Sequence, residues 1–540
     1  MPRCLVAFDT DRIQDYVFAT GTLRNIRGGS AVLDRLNRER MEQLAQNVDA
    51  TFDPDTHAIY ANGGAGLFVI EAGSTQHFIH QVRQAYRDAT LTCSVTGVQA
   101  DLPPDWTASQ PIPEELAQLG YRLRCAKDAP APLATRISHA LLRSCDSCGT
   151  QYAQSLDSSR PQEHQWICRS CELKRAQNMD VKTVVRHLTG RPGAIDAQSR
   201  TLWHRLLTPF REALYDTPCD LPDDFNVLGE LSQPKNYFGL IYADGDEMGR
   251  HLEACTSLPE RKKFADTVDQ ALDQALIASI KKYLLPKSEK ENTLRFDVLL
   301  AGGDDLVMVT TADTVLKVAN VLAETFQKYT EERLGKTLTL SIGVVIAHAK
   351  FPFHNLYGLA KDLCKFAKKE RVKRARVYPG APKQGLINFQ VVNAGNSLRF
   401  REEFTQVFVQ EDRQLSGPPL KYVRTLRPYY VDHAEDLRTM PNLLDQVERL
   451  RAENFPRTKL QQLRELAWLP YGEAVLQGKA LQNRLKKHER KLLREVIQAF
   501  VPPEALHIDT LPWFQQGENT SFTPFVDLVE LYDFLSGGGA

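Results

Sequence analysis

Four carboxylates stand at two turns of this 540-residue chain. Asp244 and Asp246 close an apolar run in LIYADGDEMGRHL, and Asp304 and Asp305 sit inside VLLAGGDDLVMV. Carboxylates are ligands for hard divalent ions, and two such ions about 4 Å apart need several acids converging on one point. One ion then lowers the pKa of an attacking hydroxyl while the other neutralises a leaving pyrophosphate. Gly302 and Gly303 carry no side chains, so a triphosphate can approach the backbone there. The pattern predicts Asp244, Asp304 and Asp305 as catalytic acids holding Mg2+ or Mn2+, with Gly302, Gly303 and Asp246 at the nucleotide. Asp and Gly are also the commonest turn formers, so either motif alone is compatible with a solvated turn. Glu247 fits the first turn of a helix, where the dipole favours an acid.

Cys145-x-x-Cys148 and Cys168-x-x-Cys171, 19 residues apart, have the spacing of a four-cysteine zinc ribbon. A redox pair or an iron–sulfur cluster is the alternative. A closed four-thiolate zinc site stabilises a fold and does not catalyse. The other six cysteines are scattered, too sparse for a disulfide framework, which points to a reducing cytoplasm.

The elements that must position these groups recur. LVAFDTDRIQDYV is an apolar strand, an Asp-x-Asp turn and a helix, and aligns Asp9 and Asp11 with Asp244 and Asp246. In each copy a Gly-rich hairpin follows: Gly63-Gly64-Ala65-Gly66 in the first, Gly302-Gly303-Asp304-Asp305 in the second. A helix and a strand complete each unit, TVLKVANVLAETFQKYTEE and LTLSIGVVIA in the second copy. The reading is α+β, two tandem copies of one domain. The first hairpin lacks both acids, so catalysis is expected only in the second copy, while Gly63 and Gly64 could still admit a nucleotide.

The boundaries expected are 1–130 for the first copy, 131–235 for a helical linker with the ribbon at 145–171, 236–395 for the second copy and 396–540 for a helical C-terminal domain. Pro-rich stretches at 101–113, 129–134, 216–235, 379–385 and 416–419 punctuate the chain, and the SGGGA end is expected to fray.

Lys plus Arg and Asp plus Glu both number 67, so the net charge is zero, which argues against a histone-like attraction to nucleic acid. No apolar run is long enough to span a membrane, and acids interrupt the N-terminal apolar stretch, so no secretion signal is expected. LRNIRGGSAVL offers Arg24, Arg27, Gly28, Gly29 and Ser30 either as a phosphate-contacting element or as a helix break with exposed arginines. The basic helix KDLCKFAKKERVKRARVY reads as a solvated face or as a source of a triphosphate-binding lysine such as Lys368. The stretch 484–494 reads as a solvated helix, and the isolated Asp432-His433 pair as structural. There is no Walker phosphate loop, no His-Asp doublet and no Gly-x-Ser-x-Gly elbow.

The two YADGDEMG- and FDTDRIQD-type turns, the AGGDD hairpin and the intervening cysteine pairs resemble the large polymerase-cyclase subunit of type III CRISPR effector complexes. The closing ENTSFTPFVDLVELYDFL is also similar to the family's C-terminal helical domain. The resemblance implies two ferredoxin-like palm domains (nucleotidyl-cyclase or GGDEF type), ATP as substrate at both and metals at the second. It implies 3′–5′ joining of ATP into cyclic oligoadenylates in antiviral defence. It also implies activation by target RNA in a complex with guide RNA and other effector subunits. Many members begin with an HD nuclease domain; here a palm begins within ten residues of Met1, which suggests an HD-less or stand-alone member, a homo-oligomer if stand-alone. The alternatives are a catalytically silent nucleotide-binding scaffold subunit and a cyclic dinucleotide synthase. Against the latter, Leu306 follows the second Asp where diguanylate cyclases usually have Gly-Gly-Asp/Glu-Glu-Phe.

Overall fold

The structure is a computed structural model that describes residues 2–128, 141–159, 164–190, 199–214, 218–286, 292–376, 383–392, 400, 404–412, 419–432, 436–501, 510–515 and 519–535. His433, residues 129–134, 379–382 and 416–418, and the SGGGA tail lie outside these residues. The chain divides into two compact units, one of residues 1–224, 247–308 and 328–336, the other of residues 225–246, 309–327 and 337–540. Among the described residues no helix is long and apolar enough to cross a membrane.

The first unit opens with β1 (Arg3–Thr10), whose run from Cys4 to Phe8 is buried. It lies in an antiparallel sheet of order β2-β3-β1-β4, with β2 Ala58–Asn62, β3 Ala65–Glu71 and β4 Val95–Asp101. Phe8, Phe68 and Phe78 meet edge to face with centroids 5.2–6.2 Å apart, fastening the helix Thr75–Thr90 to the sheet. The short pair β5 (Ser155–Asp157) and β6 (Gln165–Ile167) forms the ribbon, followed by the helix Arg169–Thr189.

The second copy's strands are β7 (Tyr237–Gly245), β8 (Phe296–Gly302), β9 (Asp305–Thr311) and β10 (Leu340–His348). They extend through β11 (Leu386–Val391) and β14 (Tyr429–Tyr430) into a sheet of order β14-β11-β10-β7-β9-β8. In the second unit the helix Phe353–Arg374 lies across β10 and β7. It comes so close that a Cβ on Gly343 would stand 2.0 Å from the Ala360 carbonyl oxygen. Only glycine permits that approach.

The C-terminal part is helical as expected, with helices Met440–Ala452, Arg457–Leu466, Tyr471–Arg484, Lys487–Gln498 and Phe525–Leu531. It also holds a small sheet of order β12-β13-β16-β15 (Val409–Asp412, Leu420–Val423, Thr520–Phe522 and Phe514–Gln515) that local periodicity does not predict. These strands are two to four residues long, and β13 pairs in parallel with β16, about a hundred residues away, so no local alternation announces them.

Candidate functional site

The two Asp-x-Asp turns are built alike, down to single hydrogen bonds. Asp9 stands opposite Thr96 in the β1–β4 ladder, and Asp244 opposite Ser341 in the β7–β10 ladder. The next acid in each turn clasps the facing strand. Asp11 accepts from Ser94 Oγ at 2.9 Å and Thr96 Oγ1 at 2.9 Å, while its N–H donates to the Ser94 carbonyl. Asp246 accepts from Thr339 Oγ1 at 2.6 Å and Ser341 Oγ at 2.8 Å, while its N–H donates to the Thr339 carbonyl. The residue after each clasp, Arg12 in one turn and Glu247 in the other, has a left-handed backbone, φ 51° and 59°. An L residue carries a strain cost there, so its recurrence at matched positions marks one shared turn geometry.

This parallel reassigns Asp246. Its side chain is buried and also meets Arg371 Nε at 3.3 Å. Burial raises its carboxyl above the usual range, against the Arg371 guanidinium and the two hydroxyls. With its oxygens engaged inside the fold, Asp246 closes a turn, and the copy without hairpin acids does the same with Asp11.

The first acids of the two turns face lysines. Lys127 forms ion pairs with Asp9 and Asp11. Lys368 Nζ lies 2.7 Å from Asp244 Oδ1 and donates to the Gly245 carbonyl at 2.7 Å. Burial acts to lower the Lys368 pKa, but the Asp244 carboxylate raises it above the usual lysine value. The structure thus places Lys368 at the predicted acid, with no phosphate needed to hold it there.

Both hairpins turn in two residues, Gly63-Gly64 in the first and Gly303-Asp304 in the second. Gly63, Gly64 and Gly303 have φ of 58°, 86° and 62°. In the first unit the hairpins touch backbone to backbone: a Cβ on Gly302 would lie 2.6 Å from Gly63 Cα. Beside this contact a cleft of about 310 Å3 is lined by Asn62, Gly63, Gly64, Gly302 and Asp305, and by Arg12, Ser30, Asp34 and Arg38. Of the predicted residues, Gly63, Gly64, Ser30, Gly302 and Asp305 therefore share one cleft. Asp304 and Gly303 sit at the hairpin tip, half-buried.

The IRGGS segment is not a helix break with exposed arginines. It is the middle of a continuous helix, Leu23–Arg35. Arg27 is 1% exposed. Its guanidinium donates to Asp297 at 2.6 and 2.9 Å, to Asn178 Oδ1 at 2.6 Å and to the Pro222 carbonyl at 2.6 Å. Burial raises the Asp297 carboxyl, opposed by Arg27. Arg27 is therefore an internal counter-ion, with its donors engaged inside the fold. Gly28 lets the helix Arg169–Thr189 approach, since a Cβ there would lie 1.8 Å from the Lys174 carbonyl oxygen. Of that segment's predicted contacts only Ser30 reaches the cleft.

The four predicted thiols do come together, all within 4.8 Å of one another and free of disulfides. Cys145 and Cys171 are 3.8 Å apart, as are Cys148 and Cys168. A tetrahedron of thiolates at a metal–sulfur distance of about 2.3 Å has an edge of about 3.8 Å, so the donors fit one tetrahedral ion. Gly149, at φ 64°, turns the first knuckle, and Cys168 caps the following helix. Among the described residues no three palm carboxylates are gathered as closely.

Sequence reasoning missed Asp34, Arg38 and Asp269. Arg38 is ion-paired with Asp34 at 2.9 Å, an i,i+4 spacing that could have drawn attention to the pair. Its second partner, Asp269, is 231 residues away and leaves no local signal.

Residues 237–377 match the sequence profile of the Cas10/Cmr2 second palm domain. Over 154 residues the chain is 27% identical to the CRISPR system Cmr subunit Cmr2 of Pyrococcus furiosus, a match taking in 25% of this chain and 17% of that protein. Among solved structures, a Csm1–Csm4 cassette in complex with cA4 aligns with a TM-score of 0.56 at 14% identity, over 99% of this chain and 70% of that one. Csm1 of T. onnurineus aligns with a TM-score of 0.54 at 13% identity, again over 99% and 70%. The segment 237–377 is thus similar to the Cas10/Cmr2 second palm domain, and the chain has the Csm1 fold: two palms, a four-cysteine cluster and a largely helical C-terminal part.

Proposed function

We propose that this chain is a metal-dependent nucleotidyltransferase that joins ATP units, with release of pyrophosphate, into cyclic oligoadenylates within a type III CRISPR effector. The observation that carries the reading is the cleft in which Asp305 and Gly302 meet Gly63 and Gly64. The Cas10/Cmr2 palm profile spans Asp244, Asp304 and Asp305. A structural neighbour is a Csm1–Csm4 cassette with one ATP, and another holds pppApA.

In this reading Asp244, Asp304 and Asp305 hold Mg2+ or Mn2+, ions whose preference for oxygen suits an all-carboxylate donor set. The bound ions would supply activation of the attacking hydroxyl and neutralisation of pyrophosphate. The glycines leave the backbone open to the triphosphate, and Ser30 offers it a hydroxyl. Lys368 pairs with Asp244, and a cation held at Asp244 would free its ammonium for a phosphate within reach. Zn2+ in the four-cysteine cluster is structural. Domain limits of 1–130, 131–235, 236–395 and 396–540, cytoplasmic residence, and assembly with RNA and other effector subunits complete the proposal.

The test incubates purified chain with Mg2+ or Mn2+ and each ribonucleoside triphosphate in turn, resolving products by mass spectrometry. Cyclic adenylates are expected with ATP. A chain that stays silent with target RNA and its effector partners also present is a binding subunit, and the cyclase reading falls.

A further inference from the structure

The hairpin tip is held by a residue that no motif announces. Asp269, on the helix Leu258–Ser279, accepts a hydrogen bond from the backbone N–H of Gly303, the residue immediately before Asp304. The same carboxylate is gripped by Arg38 in a two-pronged fork, Nη1 to Oδ2 at 2.8 Å and Nη2 to Oδ1 at 2.6 Å. Arg38 also donates from Nε to Asp34 at 2.9 Å, and Asp34 caps the start of the helix Leu202–Leu207 through the Leu202 N–H at 2.9 Å. The Arg38 and Asp269 side chains are 11% and 15% exposed. A second fork, Arg205 to Asp273 at 2.7 and 3.2 Å, stands beside the first. All of these residues lie in the first unit.

We infer that Asp269 is a positioning residue for the GGDD hairpin and that Arg38, from the first palm, sets the Asp269 carboxylate that does the positioning. A two-residue turn between antiparallel strands fixes its own hydrogen-bonded ladder but leaves the tip N–H groups for other acceptors. Gly303, with φ 62°, has no side chain to restrain it, so the acceptor facing its N–H decides where the tip rests. A charged acceptor makes the stronger bond, and a bidentate arginine fork holds such an acceptor in one orientation. Burial acts to raise the Asp269 pKa, yet Arg38, with Arg205 and the Gly303 N–H, keeps the carboxyl below its usual range, so the acceptor stays ionised. Removing Arg38 would leave a mostly buried carboxylate without its counter-ion, and the hold on Gly303 would loosen with it. The two ends of this path, Arg38 and Asp305, line the same cleft. Its consequence for turnover rests on the cyclase reading; its consequence for the hairpin does not.

The experiment is hydrogen exchange on the full chain, read by mass spectrometry over peptides covering 299–306, for Asp269→Leu, Asp269→Asn, Arg38→Met and Asp273→Asn. Loss of one charge-assisted bond predicts roughly tenfold faster exchange at the hairpin in Asp269→Leu and Arg38→Met. Peptides around the cysteine cluster should not change. Asp269→Asn keeps a carbonyl acceptor and is expected in between, and it carries the test alone if the leucine variant does not fold. Asp273→Asn perturbs the neighbouring fork and should lower the melting temperature without moving the hairpin. Unchanged hairpin exchange in Asp269→Leu or Asp269→Asn overturns the inference. So does equal acceleration by Asp273→Asn, which would reduce Asp269 to general stability. In turnover, the positioning role predicts a fall in kcat with KM for ATP held. A chain silent in every form would sink the cyclase reading and leave the exchange result standing.

Discussion

The first and second palms share a turn and differ in what the turn is for. Each closes with an acid clasped by two hydroxyls two residues apart, Asp11 by Ser94 and Thr96, Asp246 by Thr339 and Ser341. Each then passes through a left-handed residue, Arg12 or Glu247. At the hairpin they part: the first has Gly63-Gly64 then Ala65, the second Gly303-Asp304 then Asp305. A chain that carries both copies separates the acids that make the fold from the acids available for chemistry. An acid kept where the hairpin acids are gone, and clasped by hydroxyls of the facing strand, is architectural. By that rule Asp246 belongs to the fold, and Asp304 and Asp305 are the acids the proposed chemistry would use. Asp244 is retained in kind by Asp9, so only the hairpin distinguishes its use.

The largest effect that would break this division is in turnover. Asp305→Asn, Asp304→Asn and Asp244→Asn are each expected to reduce product formation by about a thousandfold or more, and Asp9→Asn by less than about twofold. Rates measured per folded molecule on the purified variants decide it; equal losses from Asp9 and Asp244 would erase the asymmetry between the palms.

Next comes Arg27, the residue that composition offered to a phosphate. Arg27→Met leaves Asp297 buried without a counter-ion, so a loss of about 3–5 kcal/mol in urea unfolding is expected. ATP affinity of the folded protein, by equilibrium dialysis, should hold. A variant of normal stability that loses nucleotide would restore the phosphate reading.

The clasps give a smaller, paired effect. Asp11→Asn and Asp246→Asn should each cost about 1–3 kcal/mol, with Asp246→Asn the larger because it also uncouples the buried Arg371. An Asp246→Asn protein of normal stability that fails to bind nucleotide would return that acid to the site.

The smallest effect is in acid. The Asp269 carboxyl is lowered in the fold, so the stability it contributes is complete above about pH 4 and is lost as pH falls through its folded value. The stability gap between the native chain and Asp269→Asn should therefore narrow as pH falls below about 4. Urea titrations at pH 7, 4 and 3 would show it; a gap independent of pH would mean that the charge contributes nothing.

Much of this was legible in the residues. Strands β1, β7 and β9 are apolar runs bounded by Asp or Gly, and such runs announce themselves. The cysteine spacing announced the cluster, because two x-x-separated thiol pairs have few other uses. The segment around Arg27 is ambiguous in the sequence because Arg, Gly and Ser serve phosphates and helix packing equally well, and composition does not say which surface a helix turns inward. The sheet β12-β13-β16-β15 was missed because its pairings join segments far apart.

The sequence by itself determined which residue types meet at each local turn: the acids after Gly302 and Gly303, the paired thiols, and the αL-tolerant turns. Those are set by spacing within a few residues, where chain geometry leaves little choice. Only the tertiary structure decided which charges are spent inside. Arg27 goes to Asp297, Asp246 to Arg371 and Arg38 to Asp269, pairs separated by 270, 125 and 231 residues in their numbering. A buried ion must find its partner wherever the fold brings one, because the cost of burying it alone exceeds what local structure can offset.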